Sequence, residues 1–451
     1  MSSVLELGQT VLTTADESDS LLAPGTCSKP SPRPLSLRSN FSWTFVGNVV
    51  YAGCQWGMLM ALAKLGSPEK VGQFALGLAV TAPIIMFSNL QLRAIQATDA
   101  RREYRFGHYL ALRLATTALS LLVIAGMACG YRVETALVIL AVGLAKAFES
   151  LSDVVYGLLQ AHERMDRIAM SMMIKGPLSL MALAFVVYLT ASIAWGALAL
   201  AGVWGLLLIA YDVPNGIRSL DHGDTLRPCW ELPTLSRLAW LALPLGIVMM
   251  LLSLNANIPR YFIDHYWGER ELGIFAALAY LMVAGNTVVS ALGQSASPRL
   301  ARLYADGDFR PFCRLLIRLV ALGAGMGAIG VLVALGAGHR LLSILYRPEY
   351  AAHADIFILL MVVATASYGA SFLGYGMTAA RRFRVQTLLF GAVFFVTLVG
   401  CAVFIPHFGL LGAAWACVLA SVAQFLGSSL VIVTALHNRY LCSQPQSRVG
   451  I

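Results

Sequence analysis

KAFESLSDVVYGLLQAHERMDR, residues 146–167, places one cation and two carboxylates inside a run otherwise apolar enough to cross a membrane. At about 100° per residue, Lys146, Glu149, Asp153, Tyr156 and Gln160 share one narrow stripe of a helix. Phe148, Leu151, Val155, Leu158 and Leu159 take the other side. A charge at membrane depth costs roughly 2.5–3.5 kcal/mol on insertion scales. Three on one stripe therefore predict a wet cavity, with the rest of the chain as its wall.

The composition agrees. Mean hydropathy is +0.72, 58% of residues are hydrophobic and 12% are charged, where soluble domains carry about 25% charged residues. Apolar runs of about 20 residues recur from Phe41 to His437, which predicts an all-α, polytopic membrane protein. The eight cysteines have no paired or CxxC spacing, so neither a disulfide framework nor a zinc site is implied. The formal charge of +9 follows from topology and does not predict a nucleic-acid partner.

About twelve spans are expected, at 41–65, 71–92, 107–129, 135–159, 169–190, 193–211, 235–259, 272–297, 312–337, 356–378, 385–406 and 409–437. Connecting loops alternate in charge. One set gathers most of the arginines, including Arg93, Arg101, Arg102, Arg105, Arg164, Arg167 and the 381–384 turn. The other holds only Lys64, Lys70, Arg132, Arg260, Arg270, Arg340 and Arg347. The positive-inside rule then puts both termini in the cytoplasm. Residues 1–40, rich in Ser, Thr and Pro, read as a disordered cytoplasmic tail without a cleavable signal. Residues 438–451 read as a second cytoplasmic tail.

The chain repeats itself. Gly72-Gln73-Phe74-Ala75 is matched by Gly273-Ile274-Phe275-Ala276, Tyr156-Gly157 by Tyr375-Gly376, and Gly196-Ala197 by Gly412-Ala413. The offsets are 201, 219 and 216. Two six-helix lobes follow, at 41–211 and 235–437, joined by a cytoplasmic linker over 212–234. Parallel repeats of this kind turn about an axis along the membrane normal and suit alternating access. Gly53/Gly57, Gly126/Gly130 and Gly323/Gly327 have the spacing that lets helices approach closely. Gly176-Pro177 and Pro244 predict kinks.

Several stretches together resemble a known family: Gly72–Pro83 (GQFALGLAVTAP), Leu92-Arg93, Ala97-Thr98-Asp99, residues 146–167, Asn255–Tyr261 (NANIPRY), Ser297-Pro298-Arg299-Leu300 and Leu410–Ala416 (LLGAAWA). The chain from about Phe41 onward is similar to polysaccharide-biosynthesis flippases. These are the lipid-linked oligosaccharide branch of the multidrug/oligosaccharidyl-lipid/polysaccharide exporter superfamily. The resemblance implies a MATE-like fold in the bacterial inner membrane. It also implies alternating-access transfer of an undecaprenyl-pyrophosphate-linked O-antigen, capsule or exopolysaccharide unit. Coupling to H+ or Na+ is implied, with no other cofactor. A polymerase and glycosyltransferases are the implied partners, beside membrane lipids.

A diphosphate and a glycan cannot cross hydrocarbon unassisted. Candidate contacts to the substrate are the cations Lys146, Arg113 and Lys175, and the amides Asn48 and Gln55, with Asn286 as a counterpart in the second lobe. Arg113 and Lys175 can instead pair with Asp153 or Glu149. Glu149 and Asp153 are the candidates for ion coupling. Arg260 is expected at the outer end of the seventh span, as an interfacial anchor or an outer gate. Three rivals stay open: a multidrug exporter on the same fold, a membrane glycan polymerase or glycosyltransferase, and a non-transporting scaffold.

Overall fold

The computed structural model describes residues 37–99, 103–220, 225–380 and 383–443. Most of both expected tails, part of the linker and the arginines at 101, 102, 381 and 382 lie outside them. The first half of the chain contains α1 (Leu37–Leu65), α2 (Pro68–Asn89), α3 (Leu92–Thr98), α4 (Phe106–Ala128), α5 (Val133–Ala161), α6 (Met165–Thr190), α7 (Ile193–Leu207) and a short α8 (Val213–Ile217). A π-helical turn, Leu208–Asp212, joins α7 to α8. The second half contains α9 (Leu232–Ala305), α10 (Phe309–Leu345), α11 (Pro348–Ala351), α12 (Ala354–Ala379) and α13 (Phe383–Ser443).

Among the described residues, ten helical segments are long and apolar enough to cross a membrane. They present large apolar side chains outward, among them Leu122, Phe185, Leu388 and Val433, as lipid contact requires and water would penalise. The structure departs from the twelve expected spans in two places. At 74 residues, α9 would reach about 110 Å at 1.5 Å per residue, far beyond a hydrocarbon core of about 30 Å. It breaks at Gly268, where φ is +83°, and α13 breaks at Gly409, where φ is +58°. Both values lie in the region that glycine enters without a Cβ clash. Each element thus consists of two arms, and each pair of arms covers two expected spans. These breaks sit at glycines. Gly176-Pro177 lies inside α6 and Pro244 inside α9.

Other boundaries differ too. The first helix starts at Leu37, inside the expected tail, and α13 continues to Ser443. Helix also continues past residue 211, through Asp212 to Ile217, into the expected linker.

The end bearing the arginine-rich loops is called the basic end below. At the opposite end the two halves share one apolar core, with Leu62, Val71 and Ile139 of the first half beside Leu272, Phe275 and Tyr346 of the second. At the basic end the cores are separate. One, around Leu92, Tyr109 and Leu158, takes Leu235, Leu238 and Ala242 from α9, with Ala239 and Leu243 packed against it. Another, around Leu300, Phe312 and Met377, is confined to the second half.

Polar contacts also tie the halves at the opposite end. Gln73 donates to Glu269 at 3.0 Å, and Thr135 donates to the same carboxylate. Arg347 donates to the Lys64 carbonyl at 2.8 Å. Arg270 lies 3.5 Å from Glu69 and 3.6 Å from Glu349.

The sequence repeat has a direct structural meaning here. Gly72 and Gly273, equivalent residues of the two halves, lie against each other. A Cβ on Gly72 would strike the Glu269 backbone, and one on Gly273 would strike the backbones of Pro68 and Gly72. The GxxxG spacings behave differently. A Cβ on Gly323 would meet Phe372 and one on Gly327 would meet Thr365, so that pair does seat α10 on α12. Gly53 and Gly126 have no neighbour within 4 Å. Gly273→Leu is therefore expected to lower the melting temperature of the detergent-solubilised protein, since overpacking costs about 1–3 kcal/mol. Gly53→Ala is expected to leave it unchanged. Equal melting of both variants would separate the glycine contact from stability.

Candidate functional site

Helix α5 carries the site. Its stripe is laid out as the spacing predicts: Lys146, Glu149, Asp153, Tyr156 and Gln160 all line a cavity of about 550 Å³. Lys146 lies halfway along α5 and Gln160 one residue from its end, so the cavity runs from mid-depth to the basic end. Ile85, Met86 and Asn89 of α2 form part of the facing wall, and α9 adds Met249. Between α2 and α3 the chain turns through two left-handed residues in succession, Leu90 (φ 50°) and Gln91 (φ 52°). Non-glycine residues adopt this conformation at a cost of about 1–2 kcal/mol each. The turn lets α3 carry Arg93 back toward α5.

Two tiers of charge result. In the cavity wall, Lys146 Nζ lies 2.7 Å from Glu149 Oε2 and over the Trp204 ring at 5.1 Å. Glu149 Oε1 accepts from the Tyr51 hydroxyl at 2.9 Å. Arg93 donates to Gln160 at 2.9 Å, lies 3.5 Å from Asp153, and stacks over Tyr156 at 5.6 Å. These four charged side chains remain between 24% and 32% exposed.

Behind the wall the charges are almost wholly buried, although Lys175 also lines the cavity. Arg113 is wholly buried, 3.2 Å from Asp153, and donates to Asn89. Lys175 and Asp212, 2% and 1% exposed, lie 3.6 Å apart. Asp212 accepts from Ser152 at 2.7 Å and Ser171 at 2.6 Å, while Lys175 donates to Ser152 at 3.2 Å and Tyr156 at 3.1 Å. Hydrogen bonds to every charged group are what make such burial bearable.

Arg113 thus pairs with Asp153, one of its two expected partners. Lys175 pairs with neither expected carboxylate; its partner is Asp212. Asp212 and Arg93 were missing from the expected site. A charge ending an apolar run reads as the end of the span, and that is how both look in the sequence. The signal for Asp212 is the apolar run entering it, with no Gly or Pro between Gly205 and Pro214.

The other expected residues lie elsewhere. Asn48 lies in a separate groove between α1 and the second arm of α9, beside Asn286. Gln55, half-buried, sits one turn beyond Tyr51 on α1. Arg260 does not end its helix. The first arm of α9 continues about two turns beyond it, to Gly268, and Arg260 donates to Asn257 at 2.9 Å. Its position is inside the helix, about two turns short of the break, where the expected span ended at residue 259.

Long apolar helices around a charged cavity define a multi-pass membrane protein of the MATE-like transporter fold. The Vibrio cholerae MATE transporter VcmN superposes with a TM-score of 0.59 at 15% identity, over 89% of this chain and 96% of that one. An inward-facing multidrug-resistance MATE transporter does so at 0.60 and 12%, over 92% and 97%. The lipid II flippase MurJ, in an inward closed conformation, superposes at 0.69 and 11%, over 89% and 92%. Residues 37–304 match the family model described as polysaccharide biosynthesis protein, and the chain belongs to that family. The capsular polysaccharide biosynthesis protein CapF of Staphylococcus aureus is 28% identical over 390 residues, 86% of this chain and 96% of that one.

The two tiers differ in what substitution should do. Asp212→Leu leaves a buried ammonium unpaired, and removing one partner of such a pair costs about 3–5 kcal/mol. It is expected to lower the melting temperature in detergent strongly, with partial recovery in the Lys175→Met/Asp212→Leu double variant. Lys146→Ala, in the exposed tier, is expected to melt close to the parent. An unchanged melting temperature for Asp212→Leu would rule out the pair as a structural tie.

Proposed function

We propose that the chain flips an undecaprenyl-diphosphate-linked oligosaccharide across the bacterial inner membrane by alternating access. One observation carries this reading: around α5, four cations, Arg93, Arg113, Lys146 and Lys175, share three carboxylates, Glu149, Asp153 and Asp212. One positive charge is left in excess, and the exposed tier places Arg93 and Lys146 where a ligand can reach them. In a low-dielectric cavity an excess cation favours an anionic occupant, and a diphosphate is the anion that lipid-linked glycans carry. The same excess disfavours the organic cations of a multidrug exporter, the second reading that the MATE-like fold allows.

By the positive-inside rule the basic end is cytoplasmic, with both termini on that side. The cavity then faces the leaflet where the substrate is made, and the joined opposite end closes the outer side. Opening there requires the Gly72–Gly273 contact and the Glu269 and Arg270 ties to separate. Glu149 and Asp153, each within reach of two or more polar partners, are the carboxylates on which H+ or Na+ can compete with a cation or substrate. Of the three expected pathways, the capsular designation of the Staphylococcus relative favours capsule, with a polymerase and glycosyltransferases as partners.

Deleting the gene is expected to leave lipid-linked repeat units on the cytoplasmic leaflet, measured by their accessibility to a membrane-impermeant probe in oriented vesicles. Normal export of unpolymerised units, with loss of chain length alone, would indicate a polymerase instead. Lys146→Ala is expected to reduce flipping while membrane insertion, followed by immunoblot of the membrane fraction, stays intact.

A further inference from the structure

A second polar surface adjoins the cationic cavity and differs from it in kind. It is a groove of about 310 Å³ between α1 and the second arm of α9, lined by Asn48, Tyr51, Asn286, Thr287, Ser290 and Gln294 among others. No charged side chain lines it. Its polar groups are amides and hydroxyls, and it draws on both halves of the chain.

The amides of Asn48, Asn286 and Gln294 are exposed to this groove. Among the described residues none of the three makes a side-chain hydrogen bond within the protein. Asn286 lies midway along a membrane-spanning arm. An unpaired amide at that depth is strongly disfavoured if it meets hydrocarbon, which offers it no hydrogen bond. Three such groups in one groove call for an occupant that supplies hydrogen bonds. Each amide offers two donors and an acceptor, the complement of a sugar ring bearing hydroxyls.

Position favours the same occupant. Tyr51 lines both the cationic cavity and this groove. On the cavity side its hydroxyl holds Glu149, the partner of Lys146. A ligand with a diphosphate at Arg93 and Lys146 therefore has one tyrosine ring between its anionic group and the amide-lined groove. Tyrosine is also a suitable platform for an apolar sugar face, having a flat ring with a polar tip.

We infer that the groove between α1 and the second arm of α9 is a neutral carbohydrate subsite that holds the sugar next to the diphosphate. This rests on the flippase reading above and adds to it a division of labour. Charge in the first half holds the diphosphate, and uncharged amides contributed by both halves hold the glycan. Because Asn48 and Asn286 belong to different halves, the bound sugar bridges the two bodies that alternating access must move.

The test uses the full-length protein in nanodiscs and two probes, undecaprenyl diphosphate and the same lipid bearing one N-acetylglucosamine. The variant is Asn48→Ala/Asn286→Ala. Neither side chain holds the fold by a hydrogen bond, so the variant is expected to melt like the parent. Two lost hydrogen bonds at roughly 0.5–1.5 kcal/mol each correspond to about tenfold in affinity. The expected result is a roughly tenfold loss of affinity for the sugar-bearing probe and none for the bare diphosphate. Equal losses for both probes, or none for either, would overturn the subsite. Equal affinity of the parent for both probes would overturn it too, while leaving the flippase reading standing. Failure of the parent to bind either probe would remove both.

Discussion

Charge placed inside a bilayer has to be neutralised where it stands, and much of the first half is arranged around that requirement. Lys175 of α6 and Asp212 of the π-helical turn meet behind α5, with Ser152, Tyr156 and Ser171 filling the remaining hydrogen-bonding positions. The network ties α5, α6 and the end of α7 together. A π-turn changes the direction in which the last residues of a helix point, and such turns are common where a side chain must be aimed. Arg113 does the same for α4 by reaching Asp153 and Asn89. With these charges neutralised, the cavity-facing tier stands on a fixed wall.

The second half shares the scaffold without the charges. Tyr156 and Tyr375 are equivalent in the repeat, and each hydroxyl finds a partner in its own half: Ser171 for one and the Ser290 carbonyl for the other. Gly196 and Gly412 both sit just inside a helical segment, against the segment that precedes it. A Cβ would strike Val187 at the first and the Phe404 backbone at the second. Against this likeness, α12 presents Thr365, Tyr368 and Phe372 where α5 presents Lys146, Glu149 and Asp153. The cavity is accordingly one-sided in charge, although the fold that encloses it is repeated.

How much of this was legible in the sequence depended on what each residue reports locally. The stripe on α5 was readable because helical periodicity places its members without reference to any other element. The repeat was readable because glycines at close contacts leave a recognisable pattern. Asp212 was not, since a single carboxylate beyond an apolar run has the same appearance whether water or a buried lysine awaits it. Arg93 was counted with the loop arginines, because nothing in the sequence announces the left-handed turn at Leu90 and Gln91. Arg260 looked terminal because Pro259 precedes it, yet the helix carries on to Gly268. Twelve apolar runs became ten elements because two of the connections, at Gly268 and Gly409, are breaks within continuous helix.

The meeting of Gly72 with Gly273 has a meaning beyond close packing. Equivalent residues of two repeats touch each other only where the repeat axis passes between them, as a residue near the two-fold axis of a symmetric dimer meets its own copy. The contact is self-complementary, so one short motif, used twice, suffices to build both sides of it. The chain in effect carries a dimer interface within a single polypeptide. Each of the two glycines sets the space available to the other, and a side chain acquired by one half would have to be accommodated by a change in its twin.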